Sequence, residues 1–287
     1  MIFLFSALFF SLLIIVIFKI FSKYGISVSQ AIAINYLVAA IFGFSTIGKS
    51  PSFSFYFESD FLHVAIISGI FFILVFNVFA LSAEKAGVAI TAVSSKMSVI
   101  IPVIMGTIIF RESFSLLKIL GVILVMLSFY LVFRKKEGYG MKRNLIILPL
   151  LLFLGNGTND TILKYAQFNF IDSDQGFVHY LTIVFSVSFV LGFVFLLVKT
   201  ITGKIHFGIR HIIAGIILGI CNWFSTLFFL KGLGSMDVSV FIPVFNAGLV
   251  SLAALTGVFA FKEKLTTVNI IGIAVSLIAI TMIAYAN

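Results

Sequence analysis

The chain alternates between long apolar runs and short breaks that contain polar residues, glycine or proline. A membrane-spanning helix needs about 20 mostly apolar residues, and cutting the chain at its breaks predicts ten such segments. The breaks are too short to form a soluble domain, so the pattern predicts an all-α integral membrane protein with ten transmembrane helices. The segments are residues 2–21, 30–48, 62–83, 87–110, 115–133, 144–165, 176–199, 211–231, 237–261 and 267–286.

The fourth and fifth segments have a counterpart in the ninth and tenth, and such self-similarity is a strong guide to architecture. Residues 88–121 align with residues 239–272 at one constant offset and without a gap. Five crossings in each copy would place the second copy upside down in the membrane, as in many secondary transporters. The sequence therefore predicts two inverted five-helix repeats, residues 1–140 and 141–287, in one integrated bundle. Matching pairs include Val99/Val250, Gly106/Gly257, Phe110/Phe261, Glu112/Glu263 and Gly121/Gly272.

The composition agrees with lipid as the solvent of this chain. Hydrophobic residues make up 61% and charged residues 10%, whereas a soluble domain has about 25% charged residues. The net charge of +9 does not indicate nucleic acid, because no basic patch stands apart from a hydrophobic run. The first apolar run has no basic region before it and no small-residue cleavage site after it, so it is interpreted as a span rather than a signal peptide.

The repeated motif resembles a known family. Each half ends in Phe-Arg/Lys-Glu before a glycine-bearing last helix, in Phe110-Arg111-Glu112 and in Phe261-Lys262-Glu263. This arrangement is similar to EamA-type members of the drug/metabolite transporter superfamily over essentially the whole chain. The resemblance implies alternating-access export of a small polar metabolite, such as an amino acid or an organic or phosphorylated anion, across a bacterial cytoplasmic (inner) membrane. The alternative is an uptake or exchange carrier of the same fold for a sugar, nucleoside or sugar phosphate.

The resemblance also implies cytoplasmic termini, and here the loop charges disagree. Most Lys and Arg residues lie in the loops that follow odd-numbered segments. By the positive-inside rule these loops would be cytoplasmic and both termini external. The orientation of the chain is therefore left open.

Lys96 is the sharpest chemical signal, because it lies inside the fourth segment, far from either end. A lysine at the centre of a span costs roughly 2.5–3.5 kcal/mol on insertion scales. Its counterpart in the second repeat is Ala247, so the charge is not part of the shared scaffold. One interpretation is a cation that binds the carboxylate or phosphate of a substrate, and the other is a lysine paired with Asp160.

Asp160, in the sixth segment, is a second functional candidate, because carboxylates inside membranes are usually functional. It could carry a coupling proton or hold an ammonium group, whereas the alternative is a solvated cap at the end of a short segment, near Lys164. Tyr36 and Tyr180 are gate candidates, although interfacial packing is the commoner role of tyrosine. Pro102 and Pro243 are helix breakers that could open backbone carbonyls to a cavity. The remaining predicted substrate-binding residues are Asn77, Thr91, Ser95, Asn156, Asn159, Asn222, Trp223 and Asn246.

A membrane-embedded enzyme is the contrasting class, and the sequence disfavours it. The four histidines lie near segment ends or in loops, and neither an H-E-x-x-H metal pattern nor a glycine-rich phosphate loop occurs. We therefore expect no catalytic residues, no metal and no cofactor, with a proton as the candidate coupling ion. The expected partners are a small-molecule substrate and the lipid bilayer, with the chain acting as a monomer or a weak dimer.

Overall fold

The computed structural model describes ten helices and no strand within residues 1–47, 56, 59–85, 95–96, 98–109, 111, 115–133, 147–201, 208–261 and 267–284. Each of the ten predicted segments overlaps one of these helices. The helices are α1 (Ile2–Tyr24), α2 (Val28–Thr46), α3 (Leu62–Lys85), α4 (Ile100–Ile109), α5 (Leu116–Phe133), α6 (Ile147–Phe170), α7 (Asp174–Ile201), α8 (Ile209–Ser235), α9 (Val238–Phe261) and α10 (Thr267–Ala284).

Four of these helices are long and apolar enough to cross a membrane by length and composition. The other apolar helices have shorter described stretches, of which Ile100–Ile109 and Val238–Ala253 are examples. The described chain is therefore all-α and compatible with an integral membrane protein, while ten crossings stay a prediction. The four long spans are Val28–Thr46, Leu62–Phe79, Asp174–Ile201 and Ile209–Ser235.

The outer side of α7 has the apolar character that lipid favours. Its buried side carries Thr182, Ser188 and Gly192 among larger apolar residues. Its outer side carries Val190 and Val198, each 56% exposed. In water an apolar surface of this kind would be unfavourable, whereas in a bilayer small residues face neighbouring helices and large apolar ones face lipid.

The described chain forms two compact units, and each unit combines residues from both sequence repeats. Unit 1 comprises residues Met1–Asn77 and Ile162–Gly234, and unit 2 comprises Val78–Thr161 and Ser235–Asn287. Neither unit coincides with residues 1–140 or 141–287. The units describe how the helices pack, so the repeat boundary stays a prediction from the sequence.

Within unit 1, α2 packs along α7. The two helices approach closely at Gly43, where an added Cβ would lie 3.1 Å from the Cα of Thr182. Within unit 2, α5 packs along α10, and α9 contacts α4, α5 and α10. The fifth and tenth predicted segments, which occupy equivalent places in the two repeats, are thus direct neighbours.

The two prolines singled out in the sequence lie in different settings. Pro243 lies inside α9, which continues through it. Pro102 lies in the first turn of α4, where a missing N–H is tolerated. The predicted segment 87–110 is not one continuous helix in its described part, because the helical pair Ser95–Lys96 is followed by a turn before α4 begins at Ile100.

Candidate functional site

The predicted site residues fall into two groups, one in each unit. Thr91 lies outside the described residues. The first group, in unit 2, comprises Ser95, Lys96, Asn156, Asn159, Asp160 and Asn246, and the second, in unit 1, comprises Tyr36, Asn77, Tyr180, Asn222 and Trp223.

Lys96 lies at a break in the backbone of unit 2. Two backbone hydrogen bonds of three-residue spacing hold the turn that follows Lys96. The Val99 N–H donates to the Lys96 carbonyl at 3.3 Å, and the Ile101 N–H donates to the Ser98 carbonyl at 3.0 Å. Pro102 has no N–H with which to reach Ser98, so the regular four-residue bond cannot form there. Pro102, the helix breaker predicted from the sequence, thus accounts for a discontinuity just after the half-buried Lys96.

The Lys96 ammonium is held by a residue of α9. Its Nζ donates to Oδ1 of Asn246 at 3.1 Å, and it lies 5.8 Å from the centre of the Phe245 ring, within the range of a cation–π contact. Asn246 is only 4% exposed, so its orientation is fixed by packing. Because an amide is neutral, this contact positions the lysine without cancelling its charge.

Asp160 belongs to the same region of unit 2. Helix α6 runs without interruption from Ile147 to Phe170, so Asp160 lies well inside it and the interpretation as a solvated end cap is wrong. The helix continues past residue 165, the predicted end of the segment, and there Asn169 Nδ2 donates to the Tyr165 carbonyl at 2.9 Å. The Asp160 and Lys96 charges are close enough to interact.

The contact that brings these two charges together is made by a glycine. An added Cβ at Gly157 would lie 2.7 Å from Cβ of Ile101 and 2.9 Å from the Ser98 carbonyl oxygen. Only glycine permits so close an approach of α6 to the turn after Lys96. Asp160 lies three residues beyond Gly157 and therefore on the same side of α6.

The other predicted members of this group differ in how their polar atoms are used. Asn156 Nδ2 donates to the Leu152 carbonyl at 3.0 Å, within its own helix. The Ser95 carbonyl accepts a 2.6 Å bond from Ser98 Oγ. Asn159 Oδ1 is buried and has no hydrogen-bond partner among the described residues. Asn159 thus offers a free acceptor, whereas Asn156 is satisfied locally.

The group in unit 1 is a packed core. Tyr36 and Tyr180 are fully buried. Tyr36 donates its hydroxyl to the Phe72 carbonyl at 3.1 Å, and the Tyr180 hydroxyl shares a 2.5 Å bond with Ser68. Both tyrosines therefore bind α3, and their predicted role as gates is not tested by these contacts.

Trp223 and the two amides complete this group. The Trp223 ring is 1% exposed and its centre lies 5.8 Å from that of Phe185. Asn77 Nδ2 donates to the Ile73 carbonyl at 2.7 Å. Asn222 Oδ1 accepts from Thr226 at 3.4 Å, while its Nδ2 has no hydrogen-bond partner among the described residues. Most of the polar atoms in this group are thus satisfied by near neighbours.

Sequence reasoning missed several residues that these contacts involve. Phe245 and Ser68 carry no charge that would mark them, and only the fold brings them to Lys96 and Tyr180. The sequence pairs Asn35 with Tyr36 as a gate candidate; Asn35 is 0% exposed, and neither of its amide atoms has a hydrogen bond with the described chain. No group of three or more His, Cys, Asp or Glu residues that could hold a metal occurs in the part of the chain that is described.

Comparison with known proteins shows the fold but no named activity. No family model matches the chain. An uncharacterized protein of Haemophilus influenzae is 29% identical, with 96% of this chain and 95% of that protein covered. A chain of known crystal structure matches with a TM-score of 0.74 at 11% identity, covering 99% of this chain and 96% of that one. At this identity the match shows a shared fold and carries no function.

Proposed function

We propose that this chain is a secondary transporter that binds a small anionic or zwitterionic metabolite at Lys96 and moves it across a membrane by alternating access. The observation that carries the proposal is the contact of the Lys96 ammonium with a neutral amide at 3.1 Å. The amide fixes the cation in place without neutralising it. Such a cation inside an apolar chain is costly and therefore marks a functional site.

Three further features support this class over a membrane-embedded enzyme. The backbone is discontinuous beside the charge, as in many transporter sites. The duplicated halves have the design expected for opposed repeats. Among the described residues, the titratable groups near Lys96 comprise one carboxylate, that of Asp160, which is too few for most hydrolytic or transferase chemistry. We also propose that the chain is an EamA-type carrier, and this resemblance favours export from a bacterial cytoplasm.

A thermal-shift screen followed by flux measurements tests the proposal. Purified protein would be screened against glutamate, pyruvate, malate, inorganic phosphate, a sugar phosphate and uridine, and the stabilising compounds would be assayed in proteoliposomes. We expect stabilisation by at least one anion, and a loss of flux of about a hundredfold or more in Lys96→Met, because removing one partner of a buried charge contact costs about 2–5 kcal/mol.

Lys199→Met is the matched control. Lys199 Nζ contacts Ser29 Oγ at 3.3 Å near the end of α7, away from Lys96 in sequence and in the other unit. This variant removes the same charge and should keep near wild-type flux. Unchanged flux in a folded Lys96→Met protein would exclude the lysine as the substrate site, and equal losses in both variants would point to a general effect of charge.

A further inference from the structure

We propose that an anion bound at Lys96 is accompanied by a proton on Asp160, so that anion and proton occupy the site together. This inference rests on the proposed function, and it specifies what couples substrate binding to the proton. Its basis is the geometry of unit 2, where one cation has two partners of different kinds. Asn246 is a neutral ligand in direct contact, and Asp160 is a charged group that acts through space.

The packing of α6 keeps Asp160 beside the lysine. Gly157 fits against Ser98 and Ile101 so tightly that a methyl group would clash with both. Asp160 lies one helical turn beyond Gly157, and Lys96 lies two residues before Ser98. The two charged residues are therefore carried by segments in van der Waals contact, and neither can move far without separating α6 from the turn.

The other charged and titratable groups of the neighbouring elements do not replace either partner. Helices α4 and α9, as described, contain none. On α6, Lys164 donates to the Leu233 carbonyl at 2.8 Å, and Tyr165 is exposed. Arg111 is exposed beyond the end of α4. Among the described side chains of these elements, Lys96 and Asp160 thus form an isolated pair.

The charge balance of this pair changes when an anion enters. Without a ligand, the ammonium and the carboxylate offset each other. A monovalent anion on Lys96 would leave the site with a net negative charge in surroundings of low dielectric constant, where like charges repel strongly. Asn246 cannot offset this negative charge, because its side-chain amide stays neutral. Uptake of one proton by Asp160 restores neutrality.

The step conserves protons, and the only covalent bond of the protein that forms and breaks is the O–H bond of the Asp160 carboxyl group. The Asp160 carboxylate gains a proton from the water on the side to which the site is open. It becomes a neutral carboxylic acid while the anion occupies Lys96. The proton leaves on the opposite side after the anion departs and the attraction of the free ammonium returns. Anion and proton therefore travel in the same direction in a one-to-one ratio.

Infrared difference spectroscopy of the full-length protein in nanodiscs tests the electrostatic core of this inference without any ligand. The carboxylic acid band that disappears in Asp160→Asn identifies Asp160 during a pH titration. Lys96→Met imitates a lysine whose charge an anion has cancelled. We expect the proton affinity of Asp160 in Lys96→Met to rise about tenfold or more above wild type, and to stay at the wild-type value in Lys199→Met.

An Asp160 titration that is the same in wild type and Lys96→Met would overturn the inference. If Lys96→Met does not fold, Lys96→Gln serves as the same comparison with a polar side chain of similar length. This result is independent of transport, so it separates failure of the coupling from failure of the proposed function. Absence of flux for every anion of the screen would contradict the transporter proposal and leave the infrared comparison valid.

Flux measurements test the stoichiometry. Proteoliposomes containing a pH indicator would be given pyruvate, malate or inorganic phosphate, whichever the wild-type protein moves fastest. We expect a proton signal that accompanies the anion in wild type and is lost in Asp160→Asn even where anion exchange persists. Anion flux in wild type without an accompanying proton would contradict the inference while supporting the transporter.

Discussion

The two groups of polar residues differ in what their partners are. In unit 1, the Tyr36 hydroxyl donates to a carbonyl of α3, the Tyr180 hydroxyl shares a hydrogen bond with Ser68 of α3, and Asn77 bonds within its own helix. In unit 2, the Lys96 ammonium has a neutral amide as its direct partner and a carboxylate at longer range. A polar group that a neighbour satisfies stabilises the fold, whereas a charge that a neighbour only positions is available to a ligand.

Within the sequence repeat, positions that serve packing can also be distinguished from the position that carries the charge. The second repeat has Ala247 where the first has Lys96, yet the adjacent Asn246 is the residue that contacts the lysine. Lys96 thus contacts the residue next to its own counterpart in the second repeat, and of the pair Lys96/Ala247 only Lys96 carries a charge. We infer that the symmetry of the halves determines the packing and that the site depends on where the symmetry fails.

The largest expected effect comes from replacing the side-chain amide that contacts Lys96 with a carboxylate. Asn246→Asp is nearly isosteric and would cancel the charge of the lysine directly, so flux of an anion should fall about as far as in Lys96→Met. Asn246→Ala should lose less, about tenfold and mainly in KM, because the ammonium keeps its charge but loses its anchor. Proteoliposome kinetics of both variants would measure the difference.

The comparison between these two variants is decisive for the role of the amide. If Asn246 bound the substrate directly, Asn246→Ala would lose about as much anion flux as Lys96→Met rather than about tenfold. Wild-type kinetics in Asn246→Asp would show that the contact with Lys96 has no functional consequence. Thermal melts of the same samples would identify any loss that comes from unfolding.

Replacing either of two glycines at close helix contacts with alanine should have an effect of intermediate size on stability. An added Cβ at Gly157 would lie 2.9 Å from the Ser98 carbonyl oxygen in unit 2, and one at Gly219 would lie 2.7 Å from the Asn35 carbonyl oxygen in unit 1. Each Gly→Ala change should destabilise the protein by about 1–3 kcal/mol, since overpacking forces backbone shifts.

Only the change in unit 2 should also alter the site. Gly157→Ala pushes α6 away from the turn after Lys96, so the protein that remains folded should have weaker anion affinity. Gly219→Ala should leave the affinity of the folded fraction near wild type. Denaturation curves and binding titrations on the same preparations measure the two effects separately, and equal affinity losses would contradict the distinction between the units.

The sequence predicts much of the helix layout because apolar runs and breaks are local properties. It also identifies Lys96, since a lone charge in an apolar run is visible without any structure. The contact of Lys96 with Asn246 joins residues 150 positions apart, and no local pattern records it. Helix α6 ends at Phe170, five residues beyond the predicted end of its segment at residue 165, because the polar residues of this last turn bond within the helix, as Asn169 does.

The smallest expected effect concerns the two buried tyrosines of unit 1. Tyr36→Phe removes the hydrogen bond to the Phe72 carbonyl, and Tyr180→Phe removes the bond with Ser68. Each should lower stability by about 0.5–1.5 kcal/mol, the usual net value of a hydrogen bond, and leave anion flux close to wild type. Thermal melts and flux assays of the two variants measure this. If either tyrosine is a gate whose hydroxyl must change partners during transport, flux would instead change by far more than the small loss of stability accounts for, and the distinction between a scaffold in unit 1 and a site in unit 2 would fail.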